Sequence, residues 1–148
     1  MYIDKMGISD FELIKNSLKS DFDDFWNENI LKQELLNTDS IFLVVKDTIS
    51  DEILGFAGIE IVLDEAELMN IVIRKNKRGL GIGKSLMEKI INIAKENNIK
   101  ILKLEVNEKN LIAINLYKSF GFKQTGIREK YYNNHDSAIL MDLEIFKH

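Results

Sequence analysis

Three glycines alternate with apolar residues between two cations in the segment Arg78-Gly79-Leu80-Gly81-Ile82-Gly83-Lys84. Glycine lets the backbone turn so that N–H groups converge on an anion, and the N-terminus of a helix attracts negative charge. The segment precedes a stretch with helical periodicity, and the flanking cations can add charge-assisted contacts. The loop is therefore predicted to bind a phosphate group, against the alternative that it is only a tight turn.

Two well-known phosphate-binding motifs do not fit this loop. Gly83-Lys84-Ser85 resembles the end of a Walker A loop, but Arg78 stands where that motif requires its first glycine. The dinucleotide fingerprint G-x-G-x-x-G fails because Lys84 occupies its final glycine position. A P-loop nucleotide enzyme is therefore a remote reading, and spacing alone leaves the kind of phosphate ligand open.

Two other side chains have types suited to proton transfer. Glu105 interrupts the apolar run Ile101–Val106, and a carboxylate there can accept a proton. Its alternative is a place beside Lys103 on the polar face of a strand. Tyr117 can donate a proton, although its spacing also fits a tyrosine on the apolar face of a short helix. The residue pattern leaves both pairs of alternatives open.

Hydrophobic periodicity predicts the elements that position these residues. Helices are predicted over Ser9–Leu18 with Ser9 as N-cap, over Asn27–Leu36, from the glycine loop to Asn97 with Leu86, Met87, Ile90, Ile91 and Ala94 on one stripe, and from Asn110 to Phe120. Strands are predicted over Ile41–Val45, Ile53–Leu63, Ala66–Ile73, Ile101–Val106, Lys123–Tyr132 and Ala138–Ile145, with a short one at Tyr2-Ile3. This order predicts one α/β domain over residues 1–148, with a mixed sheet and a parallel strand-helix-strand unit in its middle.

Composition excludes several classes of site. The 148 residues include no cysteine, which excludes disulfides, thiolate metal sites and a cysteine nucleophile. Two isolated histidines, His135 and His148, predict no metal site. A net charge of -4 does not suggest a nucleic-acid partner. Because no apolar run approaches about 20 residues and no signal-peptide core is present, we expect a soluble cytoplasmic protein without a membrane partner.

The glycine loop and the segments after it resemble one family. Arg78–Gly83 is similar to the R/Q-x-x-G-x-G/A coenzyme A loop of the GNAT superfamily of N-acetyltransferases. The segment with Leu104-Glu105-Val106, Asn110, Ala113-Ile114, Leu116-Tyr117 and Gly121-Phe122, and the ending Arg128–Tyr132, resemble the RimI family of ribosomal-protein-alanine N-acetyltransferases. The resemblance is strong from about Glu60 onward and loose before Asp51. It implies the GNAT fold, a mixed, mostly antiparallel sheet with a central, splayed parallel strand pair flanked by helices.

The resemblance also implies roles for particular residues. Glu105 would be the general base, and Tyr117 would protonate the departing sulfur of acetyl-CoA, the implied co-substrate. The residues that would bind the cofactor are the backbone N–H groups of Ile71, Val72 and Ile73, the loop Arg78, Gly79, Leu80, Gly81, Ile82, Gly83 and Lys84, and the side chain of Asn110. Since the chain has no cysteine, direct attack of the amine is expected.

The implied acceptor is a protein N-terminal amine, namely the N-terminal alanine of a small-subunit ribosomal protein. Acetylation of small amines or lysine side chains stays an alternative, as does a non-catalytic acyl-CoA-binding or partner-binding module. Trp26, Tyr131, Tyr132 and Asn133–Asp136 are candidate groove residues, although Trp26 equally suits a core and His135 a solvated turn. Asn107, Phe25 and Lys75 depart from the family's usual residues, an arginine and two prolines.

Overall fold

A computed structural model describes residues 1–23, 25–132 and 135–146, the side chains of Tyr131 and Tyr132 excepted. Its helices are α1 (Ile8–Ile14), α2 (Glu28–Leu36), α3 (Ile82–Glu96) and α4 (Leu111–Ser119). Its strands are β1 (Tyr2–Lys5), β2 (Ser40–Lys46), β3 (Ile53–Val62), β4 (Glu65–Ile73), β5 (Ile101–Asn107), β6 (Lys123–Tyr132) and β7 (Asp136–Glu144). The predicted order of helices and strands is confirmed.

The strands hydrogen-bond in the order β1-β2-β3-β4-β5-β7-β6. The pairs β1/β2, β2/β3, β5/β7 and β6/β7 are antiparallel, whereas β4 and β5 run parallel. That parallel pairing joins Glu65–Leu68 to Ile101–Leu104, and each strand continues past its last paired residue. The predicted mixed sheet, with its parallel pair in the middle of the chain, is confirmed.

The chain divides into two compact units, and the first comprises residues 1–60 and 70–90. Its β-strands β2 and β3 are buried along most of their length, as a continuous apolar run predicts. Phe22, Phe56, Leu86 and Ile90 are among its fully buried side chains. Gly55 is required for close packing, because a Cβ there would lie 2.8 Å from the Val72 carbonyl oxygen.

The second unit comprises residues 61–69 and 91–148. Its β5 buries Leu102, Leu104 and Val106 on one face and carries Lys103 and Glu105 on the other, so the predicted alternation is confirmed. The prediction of a single domain over residues 1–148 stays a prediction. Among the described residues, no helix has both the length and the apolar content that crossing a membrane requires.

The start and end of α1 differ from the prediction. Gly7, not Ser9, is the N-cap, and the Asp10 carboxylate accepts the Gly7 N–H at 2.8 Å. Asp10 is buried and pairs with Lys46 at 2.8 Å, so it caps the helix better than an exposed serine. The helix ends at Ile14, and a 3₁₀ turn and a π-helical turn, Leu18–Phe22, follow. This wider turn buries both Leu18 and Phe22.

A polar network joins the end of β5 to the start of β7. Asp136 accepts a hydrogen bond from Asn107 Nδ2 at 3.1 Å and pairs with Lys109 Nζ at 2.9 Å. The Glu108 N–H donates to the Ser137 carbonyl at 2.9 Å. These contacts give a structural reason for asparagine at position 107, and they fix the backbone between Glu105 and Asn110.

The same network predicts a pH dependence of stability. The Lys109 ammonium, and then the Asn107 amide, lower the pKa of the Asp136 carboxyl below its ordinary value. A lowered folded-state pKa stabilises the protein above the unfolded pKa, about 3.9, and this stabilisation is lost as pH falls through the folded value. The free energy of unfolding of Asp136→Asn should therefore fall below that of the wild type at pH 7, and the gap should close below about pH 4.

Urea denaturation between pH 7 and pH 3 measures this gap. Lys109→Met removes the same ion pair from the other side and should reduce the acid dependence in parallel. A gap between wild type and Asp136→Asn that stays constant down to pH 3 would contradict the assignment.

Candidate functional site

The glycine loop has the backbone conformation that its composition predicts. Gly79 and Gly81 have φ values of +80° and +81°, a region that residues with a side chain rarely adopt. A Cβ at either position would meet nothing within 4 Å, so the requirement is one of backbone conformation and not of space. The 15-residue helix α3 starts directly afterwards at Ile82. The loop therefore presents its backbone at the N-terminus of a long helix.

Most residues of the loop are exposed to solvent, and one is buried. Ile82 is buried, while Gly79, Leu80, Gly81 and Lys84 are exposed. Leu80 is 67% exposed, so an apolar side chain stands beside the exposed backbone. This arrangement suits an anionic ligand that also carries an apolar part.

Arg78 is exposed, yet its guanidinium also contacts the backbone on either side of the loop. Its guanidinium donates to the Phe22 carbonyl at 2.7 Å and to the Ile73 carbonyl at 3.3 Å. The side chain thus ties the loop both to the end of β4 and to the π-helical turn. The sequence pattern indicated a cation available to a phosphate, whereas the structure gives this guanidinium two carbonyl partners.

Arg74 and Lys75, to which the sequence assigned no role, form a second tie to the same turn. The Arg74 guanidinium donates to the Ile53 carbonyl at 2.7 Å, lies 3.4 Å from Asp21 and is 4.6 Å from the Phe22 ring centroid. Lys75 Nζ donates to the Lys19 carbonyl at 3.2 Å. These two cations therefore tie the segment before the glycine loop to the π-helical turn.

The strand residues assigned to the cofactor lie at the end of β4. Val72 is buried, and Ile71 and Ile73 are partly exposed. All three follow Leu68, the last residue of β4 that pairs with β5. The Arg74 N–H, just beyond them, donates to the Leu54 carbonyl at 2.8 Å and holds the strand end in place.

Glu105 lies in an open cleft of about 280 Å³ on the polar face of the second unit. The cleft is lined by Glu67, Lys103, Leu104, Glu105, Thr125, Arg128, Leu140 and Asp142. Burial raises the pKa of the Asp142 carboxyl above its ordinary value, although Lys103 opposes that effect. Glu105 shares a face with Lys103 and also lines this concave surface, and its role as a base stays a prediction.

Arg128 is the cation paired with Glu105. Its Nη2 lies 2.9 Å from Glu105 Oε1. Lys103, the nearer residue in sequence, pairs instead with Glu65 at 3.2 Å. The sequence marked Arg128 only as part of a motif, because a contact across two strand pairings depends on a register that periodicity does not reveal.

Tyr117 and Asn110 lie at opposite ends of α4. Tyr117 is 4% exposed, and its ring centroid is 5.7 Å from that of Phe122. Its placement on the buried face matches the core reading. Asn110 Oδ1 accepts the Ala113 N–H at 3.2 Å, so the predicted N-cap is confirmed. The cap uses the carbonyl oxygen alone, and an asparagine amide also has a nitrogen donor.

The other candidates for the acceptor groove differ in exposure, and some lie outside the described residues. Trp26 is 8% exposed, and its ring meets those of Phe25 and Phe42 edge-on, which supports the core reading. His135 is exposed in a turn. The side chains of Tyr131 and Tyr132, and residues 133, 134 and 148, lie outside the described residues. In the described part of the chain, no group of three or more acidic or histidine side chains could hold a metal ion.

Comparison with known proteins agrees with this geometry. The model of the acetyltransferase (GNAT) family matches residues 10–122. A [ribosomal protein bS18]-alanine N-acetyltransferase of Salmonella typhimurium is 38% identical over 107 residues, which cover 70% of this chain and 72% of the relative.

Two solved structures are also similar. The ribosomal-protein-S18-alanine N-acetyltransferase of Escherichia coli has a TM-score of 0.89 and 27% identity, and the match covers 99% of this chain and 95% of the other. A Bacillus anthracis protein in complex with acetyl coenzyme A has a TM-score of 0.67 and 26% identity, with 78% and 68% of the two chains covered.

The family model matches most of the chain, including the loop at the start of α3, the parallel β4/β5 pair and the segment from Glu105 to Tyr117. A relative is also well above 30% identical. This chain belongs to the GNAT family of N-acetyltransferases.

Proposed function

We propose that this protein transfers the acetyl group of acetyl-CoA to the N-terminal α-amine of a protein, with Glu105 as base and Tyr117 as acid. The observation that carries the proposal is the position of Glu105, a partly exposed carboxylate in an open cleft. A general base has to reach an incoming amine, and a cleft open to solvent admits one.

The glycine loop suits the pyrophosphate of coenzyme A. Its backbone is exposed, two of its glycines have positive φ, and α3 begins within the loop. N–H groups at a helix start bind phosphate oxygens because the helix dipole favours negative charge there. Lys84 is exposed and can add a charge-assisted contact, whereas the Arg78 guanidinium donates to the Phe22 carbonyl.

The proposed chemistry is direct acyl transfer. Acetyl-CoA, when bound, supplies an activated thioester. The acceptor amine, with a pKa of about 7.7–8.0, is partly protonated at neutral pH, so Glu105 accepts its proton directly or through water. The C–N bond then forms as the C–S bond breaks, and Tyr117 gives its hydroxyl proton to the leaving sulfur. The nitrogen gives its second proton to the Tyr117 phenolate, directly or through water, and Glu105 releases the proton it accepted to solvent, so both residues return to their starting states.

The strand end and α4 complete these roles. A backbone N–H among Ile71, Val72 and Ile73 would stabilise negative charge on the carbonyl oxygen as it develops. Asn110, whose Oδ1 caps α4, would contact the cofactor through its amide nitrogen. Burial of Tyr117 keeps bulk water away from its hydroxyl, which favours a directed proton transfer.

The acceptor class rests on the relatives. The Salmonella typhimurium and Escherichia coli proteins are both named as alanine N-acetyltransferases of one ribosomal protein, bS18 or S18, and the second matches this chain almost end to end. We therefore propose an N-terminal alanine of a small-subunit ribosomal protein as the acceptor. The net charge of -4 suits a basic ribosomal peptide.

Intact-mass analysis tests this acceptor. A synthetic peptide with the N-terminal sequence of the ribosomal protein, incubated with acetyl-CoA and the protein, should gain one acetyl group on its α-amine. The same peptide with a blocked N-terminus is the matched control and should gain none. Acetylation confined to lysine side chains or to small amines would overturn the assignment of the acceptor.

Substitution of the proposed acid and base should lower turnover without loss of cofactor binding. Glu105→Gln and Tyr117→Phe should each reduce kcat by about 10²–10⁴-fold, the usual contribution of a positioned acid or base. Thermal shift with coenzyme A should be close to that of the wild type. Glu65→Gln, which removes an exposed carboxylate paired with Lys103, is the control and should retain activity. Unchanged kcat in both variants would refute the two assigned roles, whereas a wild-type protein that binds coenzyme A without turnover would be a non-catalytic binding module.

A loop substitution should act on the cofactor instead. Gly81→Ala forces a side chain into a left-handed conformation at a cost of about 1–2 kcal/mol, which corresponds to roughly 5–30-fold weaker binding of coenzyme A if the loop must keep its conformation. Isothermal titration calorimetry measures the Kd. Gly7→Ala, at a φ of -112°, is the control and should bind normally. Equal affinities in wild type and Gly81→Ala would remove this loop from the cofactor site.

A further inference from the structure

Arg128 stands apart from the chemistry assigned so far, yet it touches the proposed base. Its guanidinium lies 2.9 Å from Glu105 Oε1, and the side chains are 52% and 23% exposed. Both line the same cleft. An arginine presents a rigid, planar set of donors, so it can hold a carboxylate in a defined orientation.

The strand register brings the two residues together. Glu105 pairs with Leu140 on β7, which pairs with Gly126 on β6. Two residues away on β7, Ala138 pairs with Arg128. Residues that pair directly point to the same face of a sheet, and so do alternate residues of one strand. Glu105 and Arg128 therefore share a face, and the small side chain of Ala138 lets the guanidinium reach diagonally across β7.

The backbone that carries the Arg128 side chain has a defined pairing. The register of β6 on β7 shifts before Gly126 and again after Arg128, so Gly126–Arg128 is a short, regularly paired stretch between two irregularities. Just beyond it, the Lys130 N–H donates to Ser137 Oγ at 3.2 Å. The stretch places the arginine at one position relative to β5.

The neighbouring charges make this pairing selective. Lys103 shares the cleft but lies 3.2 Å from Glu65, and its partner in the register of β5 and β7 is Asp142. Arg128 is thus the cation that meets Glu105. The contact uses Oε1, and an ionised carboxylate has a second oxygen that can accept a proton.

We propose that Arg128 is a positioning residue for the acetyl transfer: by holding Oε1 of Glu105, it directs the other carboxylate oxygen to the acceptor amine. This inference rests on the proposed function, in which Glu105 is the base. It concerns the orientation of that base and not the binding of acetyl-CoA.

The test is a double-mutant cycle on kcat at saturating acceptor peptide. Arg128→Gln should lower kcat about 10–100-fold, since small misplacement of a catalytic group costs rate of this order. The KM for acetyl-CoA should be unchanged. Arg128→Lys keeps the charge without the planar set of donors and should recover part of the loss. In a Glu105→Gln background, Arg128→Gln should have less than about a twofold further effect, because no carboxylate is left to orient.

Controls separate this role from a contribution to stability. Exposed ion pairs contribute little to stability, so Arg128→Gln should unfold at nearly the wild-type temperature. Lys100→Gln breaks a comparably exposed pair with Asp64, at 3.3 Å and outside the cleft, and should leave kcat unchanged.

Two results would overturn the inference. One is wild-type kcat in Arg128→Gln while Glu105→Gln is impaired. The other is a loss from Arg128→Gln that is just as large in the Glu105→Gln background, which would mean that Arg128 acts independently of Glu105. Full activity of Glu105→Gln itself would instead refute the proposed base, so failure of the proposed function is distinguishable from failure of this inference.

Discussion

The antiparallel pairing of β5 with β7 is the constraint on which the second unit depends. Seven residues of each strand, Ile101–Asn107 and Ala138–Glu144, pair in one unbroken register. Because side chains alternate along a strand, a slip of one residue would exchange the two faces, burying Glu105 and exposing Leu104. The same register places Asn107 near Asp136 and lets Arg128, on the next strand, reach Glu105. Core, cleft and ion pairs therefore follow from one set of hydrogen bonds.

The first unit solves a different problem, which is to hold a flexible glycine loop in one place. Glycine in the left-handed region costs conformational entropy on folding, so the loop needs support from its surroundings. Arg78, Arg74 and Lys75 supply it by donating to carbonyls of neighbouring segments. Their acceptors are the carbonyls of Ile53, Lys19 and Phe22. Such support would suit the proposed role of the loop in binding an anion through its own N–H groups.

The two units thus use charged side chains in the same way. In the first, guanidinium groups hold backbone carbonyls, while in the second Arg128 holds the carboxylate of Glu105 and Lys109 holds that of Asp136. Exposed pairs of this kind add little stability. For the Arg128–Glu105 pair we propose a role in orientation, since a catalytic group loses efficiency when it is displaced by about an ångström.

The sequence by itself determined the order of helices and strands, the glycine loop before α3, the buried and polar faces of β5 and the Asn110 cap. Each depends on neighbours a few residues apart, whose periodicity and conformational preferences can be read directly. The start of α1 was wrong because Asp10, buried against Lys46, outcompetes Ser9. Only the tertiary structure decided that Arg128 pairs with Glu105, that Arg78 donates to the Phe22 carbonyl and that Asn107 donates to Asp136. Those contacts join residues 23 to 56 positions apart, and strand register and loop path, which local patterns do not encode, bring them within hydrogen-bonding distance.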